Sequence, residues 1–277
     1  MANQDILQDT SGTTMGRLFA VIIWIIPLLA VAAGARDWLP PMASAHGAGI
    51  DLMLRYLLVA AGGMLVVAHL ALGYALWRFG GKTGVTFRLA TARQERNWSL
   101  VPIILMALVS EGGVFVLGLP VWASLYDAAP QDALTVEITA EQFAWNVRYP
   151  GRDGLFGRTQ ASLLSLNNSL GLDRDDPAVH DDIVLVGELH LPLNRPARIR
   201  LRSKDALHSF FLPIQRIKQD VVPGMTIEAW FVPTVSGDYE IACTELCGFG
   251  HFQMRGLLRV ESQEAFDAWL AELPTFN

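Results

Sequence analysis

Three stretches of the chain are almost wholly apolar: Leu18 to Ala35, Leu57 to Trp77 and Leu100 to Leu125. At about 1.5 Å per helical residue, each is long enough to cross most or all of a hydrocarbon core of roughly 30 Å. After Tyr126 no such run returns. From Ala133 to about Val260 apolar residues instead alternate in short bursts, as in Leu134-Thr135-Val136-Glu137-Ile138, Ile183 to Val186, Arg198 to Leu201 and Gly256 to Val260. Pro, Gly, Asn and Asp break these bursts apart, which is the pattern of strands. The pattern predicts two or three membrane helices within residues 1–126, then an all-β sandwich or Greek-key barrel over 127–277. An aperiodic stretch rich in turn residues, about 151–182, reads as a surface insertion. Phe266, Trp269, Leu270 and Leu273 recur at helical spacing and predict an amphipathic helix over 263–273.

The uncertainty in helix number lies in the first run. Met15-Gly16-Arg17, an apolar core and Val31-Ala32-Ala33-Gly34-Ala35 also have the form of a secretory signal with a small-residue cleavage site. The run is long for a signal core and contains Trp24 and Pro27, which favours a retained helix. Either way the β half ends on the same side. The link between the second and third runs carries Arg78, Lys82, Arg88, Arg93 and Arg96, whereas that between the first two carries only Arg36 and Arg55. The more basic link stays inside, so residues from Asp127 onward lie on the outer face, the periplasmic side of a bacterial plasma membrane. Composition agrees: 52% hydrophobic and 17% charged residues suit a membrane protein better than a soluble one of 277 residues. Nothing in the chain points to nucleic acid as a partner.

Against that topology, the segment CTELCGFGHFQM, residues 243 to 254, holds both cysteines. An outer compartment permits a disulfide, but two cysteines four positions apart close a loop too short for a disulfide to constrain much. Their neighbours speak for a metal. His251 and Met254 follow in the same loop, and thiolate with thioether is a soft ligand set that favours copper over calcium or magnesium. A mononuclear blue-copper site uses one cysteine, so this loop has one too many. A tetrahedral zinc site leaves Met254 without a role. Two thiolates shared between two coppers, with one histidine on each, use the set most completely. The second histidine is then His208, in Asp205-Ala206-Leu207-His208-Ser209-Phe210. His46, His69, His180 and His190 read as structural residues.

The segments DALHSF and CTELCGFGHFQM together resemble subunit II of the haem-copper respiratory oxidases, with its dinuclear CuA centre in a cupredoxin domain. Glu95-Arg96-Asn97-Trp98-Ser99-Leu100-Val101-Pro102 is similar to the family's opening of the last membrane helix. Asp220-Val221-Val222-Pro223-Gly224 matches the stretch after the first histidine. The likeness covers about residues 50 to 262. It implies a cupredoxin-type Greek-key sandwich in which Cys243 and Cys247 bridge two coppers, His208 and His251 each bind one, and Met254 and the Glu245 carbonyl act as weak ligands. It further implies that the Glu245 carboxylate helps bind Mg or Mn at the boundary with subunit I. Subunit I and subunit III are the implied membrane partners. A cytochrome c or similar outer redox protein is the implied donor, from which single electrons pass to haem and on to oxygen. The alternative reading is a membrane copper carrier or oxidase assembly factor.

One departure concerns where electrons enter. The family has a tryptophan at that point, whereas Glu141-Gln142-Phe143-Ala144-Trp145 places Phe143 there, with Trp145 as the second candidate. The acids Asp173, Asp175, Asp176, Asp181 and Asp182 form a cluster able to steer a basic donor. No Cys-x-x-Cys-His occurs, so no covalent haem is expected in this chain. Glu95 matches the family position at the mouth of a proton-uptake path. Glu111 and His69 lie deep in apolar runs, where an ionised side chain costs at least about 2.5 kcal/mol, and each needs a partner. Gly62, Gly63, Gly112 and Gly113 are expected to permit close helix packing.

Overall fold

A computed structural model describes residues 2–36, 38–82 and 88–276. The chain forms two compact units, one of residues 1–39 and 51–120, the other of residues 40–50 and 121–277.

The first unit is helical: α1 (Ala2–Gly34), α2 (Gly47–Phe79) and α3 (Ala92–Met106). The last continues through two π-helical turns, Ala107–Glu111 and Val114–Gly118, into α4 (Leu119–Tyr126). Three spans are long and apolar enough to cross a membrane: Gly12–Gly34, Gly47–Phe79 and Ala92–Tyr126. Each begins before the apolar run that marks it in sequence, because polar flanks continue the helix. At α3 the extra turns have a clear cause. The Thr91 hydroxyl accepts from Gln94 N and the Gln94 side chain accepts from Thr91 N, so a capping box starts the helix in the polar link. Trp24 and Trp77 stack with centroids 5.8 Å apart between α1 and α2. Of the four glycines expected at helix contacts, only Gly113 serves, since a side chain there would run into the Tyr56 ring of α2. Gly62 and Gly63 face open space, and Gly112 meets only its own helix. Gly16 takes their place, its α-carbon lying where a β-carbon would stand 2.8 Å from the Gly80 backbone.

The second unit is a sandwich of two five-stranded sheets. One has the order β3-β2-β1-β5-β8, from β1 (Leu134–Glu141), β2 (Ala144–Tyr149), β3 (Ile183–Val186), β5 (Ala197–Ser203) and β8 (Ile227–Phe231). The other has the order β4-β10-β9-β6-β7, from β4 (Glu188–Pro192), β6 (His208–Leu212), β7 (Ile217–Val221), β9 (Gly237–Cys243) and β10 (Arg255–Glu261). β1 with β5 and β4 with β10 pair in parallel, and the remaining pairs are antiparallel. The alternation seen in sequence is the inward face: Ala197, Ile199 and Leu201 of β5 are buried while Arg198 and Arg200 are not. They meet Leu189, Phe210, Ile241 and Leu258 of the facing sheet in one core. Ser262 caps α5 (Gln263–Glu272) by accepting from Ala265 N, and Phe266, Trp269, Leu270 and Leu273 lay that helix on the same core. Trp269 stacks on His190 at 3.6 Å, and Glu261 and Glu188 hold the two ring nitrogens of that buried histidine at 2.7 and 3.2 Å. His190 is thereby a structural residue.

The segment 151–182 folds as short bridges and turns against β1 and β2, and its acids are spent on that attachment. Buried Arg148 pairs with Asp182 and, at 3.1 Å, with Glu137, and donates to Gly157 O at 2.6 Å. Asp173 pairs with Arg158 at 3.2 Å, and Asp176 caps the turn at Ala178. Of the five acids expected to form a steering cluster, only Asp175 is exposed. A paired, buried carboxylate presents little field to a partner, so Asp173 and Asp182 act as fastenings, and what the cluster can offer a donor comes from Asp175 and the half-buried Asp176 and Asp181.

Candidate metal centre

β9 ends at Cys243, and the chain returns as β10 from Arg255, so the ligand-rich loop joins two neighbouring antiparallel strands. Cys243 N donates to Met254 O at 3.2 Å, closing the loop at its neck, and Thr244 N donates to Ser209 O at 3.2 Å, tying it to β6. β6 pairs with β9 so that Phe210 lies opposite Cys243. His208, the first residue of β6, therefore stands at the same end of the sheet.

The potential ligand atoms form a chain. His208 Nδ1 lies 3.9 Å from Cys243 Sγ, which lies 3.8 Å from Cys247 Sγ, which in turn lies 3.5 Å from His251 Nδ1. One further atom flanks each sulfur: the Glu245 carbonyl oxygen is 3.3 Å from Cys243 Sγ, and Met254 Sδ is 3.8 Å from Cys247 Sγ. All six residues expected from the sequence meet here. Imidazole and both thiols of His208, Cys243 and Cys247 fall within 4.8 Å of one another, an arrangement able to hold a metal ion.

The two sulfurs are free thiols at far more than the roughly 2.05 Å of a disulfide. Their separation is less than twice a metal–sulfur distance of about 2.3 Å, so both can touch one ion and, from the other side, a second. Burial and the neighbouring Cys243 thiol push Cys247 up to about 11. Cys247 therefore needs a cation's charge to ionise at neutral pH.

The surroundings orient the ligands. Asp205 Oδ1 accepts from His208 Nε2 at 2.9 Å, which leaves Nδ1 for the sulfur side. Partial burial raises the Asp205 carboxyl, but hydrogen bonds from His208, Gln142 N and Ala206 N outweigh it and hold the group below the usual carboxylate range. Gln142 N donates to the other Asp205 oxygen at 2.7 Å, and Gln142 Nε2 to the Cys247 carbonyl at 2.5 Å. The β1–β2 turn is thus fastened to the metal loop on one side and to the β5–β6 turn on the other. Phe143 rides on that turn with its ring against Gly248 and Gly250, where a β-carbon would come within 3.2 and 2.5 Å of it. It remains 37% exposed.

Trp145 is elsewhere. It is fully buried, edge-on to Phe210 and His208 with centroids at 5.5 and 6.2 Å, and offers no surface to a donor. Glu95 lies in the first turn of α3, a favourable place for an acid, and its carboxyl meets no partner among the described residues. Sequence reasoning passed over Asp205 and Gln142, and also Leu246, Phe249 and Phe252, which are 79%, 98% and 69% exposed on the loop itself. Their signal was present: CTELCGFGHFQM sets three large apolar side chains among its ligands, which a solvated loop has no reason to carry.

A model of the family described as "Cytochrome C oxidase subunit II, periplasmic domain" matches residues 134–260. The "Alternative cytochrome c oxidase subunit 2" of Bradyrhizobium diazoefficiens is 35% identical over 240 residues, 86% of this chain and 85% of that protein. The cytochrome c oxidase subunit 2 of Cereibacter sphaeroides is 27% identical over 246 residues, 84% of this chain and 78% of its own length. Among solved structures, the periplasmic domain of subunit II of cytochrome oxidase from Bradyrhizobium japonicum is 28% identical, covering 53% of this chain and 96% of that one with a TM-score of 0.39.

Proposed function

This chain belongs to the cytochrome c oxidase subunit II family, and on that premise we propose that its outer domain holds a dinuclear copper centre on His208, Cys243, Cys247, His251, Met254 and the Glu245 carbonyl. The observation that carries the reading is the linear order of donor atoms, histidine, thiol, thiol, histidine, with one weak donor beside each thiol. Bound copper supplies a one-electron acceptor spread over two ions. The protein's part is to keep that acceptor rigid. The neck hydrogen bonds of the loop, the Asp205 grip on His208 and the Gln142 bond to Cys247 O all hold ligands in place before metal arrives, so little has to move when charge changes.

Phe143 is the proposed point at which electrons enter, because its ring joins solvent to the metal loop. The donor is a cytochrome c or similar outer redox protein, and the acceptor is haem in subunit I, with subunit III completing the membrane complex. The Glu245 carboxylate, half-buried and without a partner among the described residues, suits a hard Mg or Mn ion at the subunit I boundary. The chain sits in the bacterial plasma membrane with this domain outside.

Electron-spin resonance of the oxidised complex, purified from its own membrane, tests the copper assignment. Hyperfine structure from two equivalent copper nuclei is expected. A spectrum from a single nucleus overturns the paired centre.

A further inference from the structure

Glu111 stands 11 residues after Leu100 and 14 before Leu125, in the middle of the third apolar run. About 16 and 21 Å of helix separate it from the two ends of that run, so its carboxyl stands inside the apolar span, on the turn that packs against Tyr56 near the outer end of the apolar run of α2. The other ionisable group deep in this unit, His69, is satisfied within its own helix, with Nδ1 2.8 Å from the Leu65 carbonyl. Glu111 is not. Its side chain is exposed, with no hydrogen-bond or ion-pair partner among the described residues.

The chain's own helices do not cover it. α2 packs on the opposite face, where Tyr56 Oη donates to Val109 O and the ring of Tyr56 fills the space left by Gly113. Positions 109 and 113 are each two residues from Glu111, about 200° around a regular helix. Glu111 thus points away from α2, between Leu108 and Phe115, which are 71% and 61% exposed. Two π-helical turns, Ala107–Glu111 and Val114–Gly118, lie on either side of Gly112 and Gly113. Such turns are rare and are frequently found at functional sites.

Lipid offers a carboxyl group no donor. We propose that Glu111 is an anchor within the apolar span, accepting a hydrogen bond from a donor or cationic side chain on the polytopic haem subunit, with Leu108 and Phe115 as the apolar rim of that contact. The inference rests on the chain's place in an oxidase complex and is independent of the copper assignment.

Dicyclohexylcarbodiimide, which partitions into membranes and couples to carboxyl groups there, should label Glu111 in the isolated full chain in detergent and at least about tenfold less in the assembled complex. Glu111→Leu makes the helix a better match to lipid, so its effect reports the lost contact. Retention of the chain on a tagged haem subunit through detergent washing should fall roughly three- to twentyfold, the range for polar helix contacts in membranes. Glu111→Gln, which keeps an acceptor oxygen, should be retained like the parent. Equal labelling in chain and complex, or Glu111→Leu retained as well as the parent, overturns the proposal. A single-copper spectrum in the parent complex would sink the relay reading alone and leave the labelling result standing.

Discussion

Phe143 has two surfaces, one against Gly248 and Gly250 of the metal loop and one toward solvent. Removing the ring removes both the donor's contact and the path beneath it. Phe143→Ala should slow reduction of the centre by the native donor on the order of thirtyfold at every salt concentration, the scale of a buried aromatic hot spot, and Phe143→Trp should restore it. Stopped-flow reduction decides this, and a Phe143→Ala chain that accepts electrons at the parental rate places their entrance elsewhere. Asp205 acts one step further back, by fixing which His208 nitrogen faces the sulfurs. Asp205→Ala should lower copper affinity 10- to 100-fold, as loss of such an outer hydrogen bond commonly does, in competition with a chelator. Cys247→Ser and His251→Ala should each abolish the two-nucleus spectrum, since the loop holds no thiol or imidazole beyond the ligands themselves. These residues differ in how readable they were. The ligands from Cys243 to Met254 share one loop, so spacing alone exposes them. Asp205 and Gln142 take their meaning from a turn that reaches Cys247 across 105 positions of sequence, and no local pattern carries that.

At the scale of elements, hydrophobic periodicity marked the strands well because one face of each is buried, and it marked the membrane helices by their centres. It understated helix ends, where the Thr91–Gln94 capping box and not hydrophobicity sets the boundary. It marked the insertion only by lapsing there, and could not show that buried charge gives the segment its order. Arg148 holds Asp182 out of water, and removing it strands that carboxylate in the interior, while Glu137 keeps Arg200 at 3.1 Å. Arg148→Met should therefore destabilise the outer domain by about 3–5 kcal/mol, seen as a lower thermal midpoint and as early proteolysis within 151–182. An unchanged midpoint would mean that the insertion is held by other contacts. Neutralising exposed Asp175 should leave stability as it was. Asp182, which Arg148 holds, and Asp175 come from one acidic stretch, and they differ in that the first is buried and the second exposed.

For the whole molecule, chain order separates two tasks by one membrane span. Glu95 opens the helix that ends at Tyr126, and the 35 residues of that span rise about 52 Å before the outer domain begins. On the proposed reading electrons enter through the outer domain, and the basic link and Glu95 lie on the inner side, from which the protons consumed with oxygen would be drawn. A group at the inner end of the helix can influence proton delivery without altering the copper ligands, since it touches none of them. Glu95→Ala should slow the proton-consuming steps of oxygen reduction while the donor continues to reduce the copper centre at the parental rate. Following both in one stopped-flow experiment, copper by its absorbance and protons with a pH-sensitive dye, separates the two. If Glu95→Ala takes up protons as fast as the parent, the acid is only a favourable charge in the first turn of α3, and the uptake path begins in another subunit. If instead copper reduction slows as well, the two tasks are not separable along the chain and the substitution has disturbed the docking of the whole subunit.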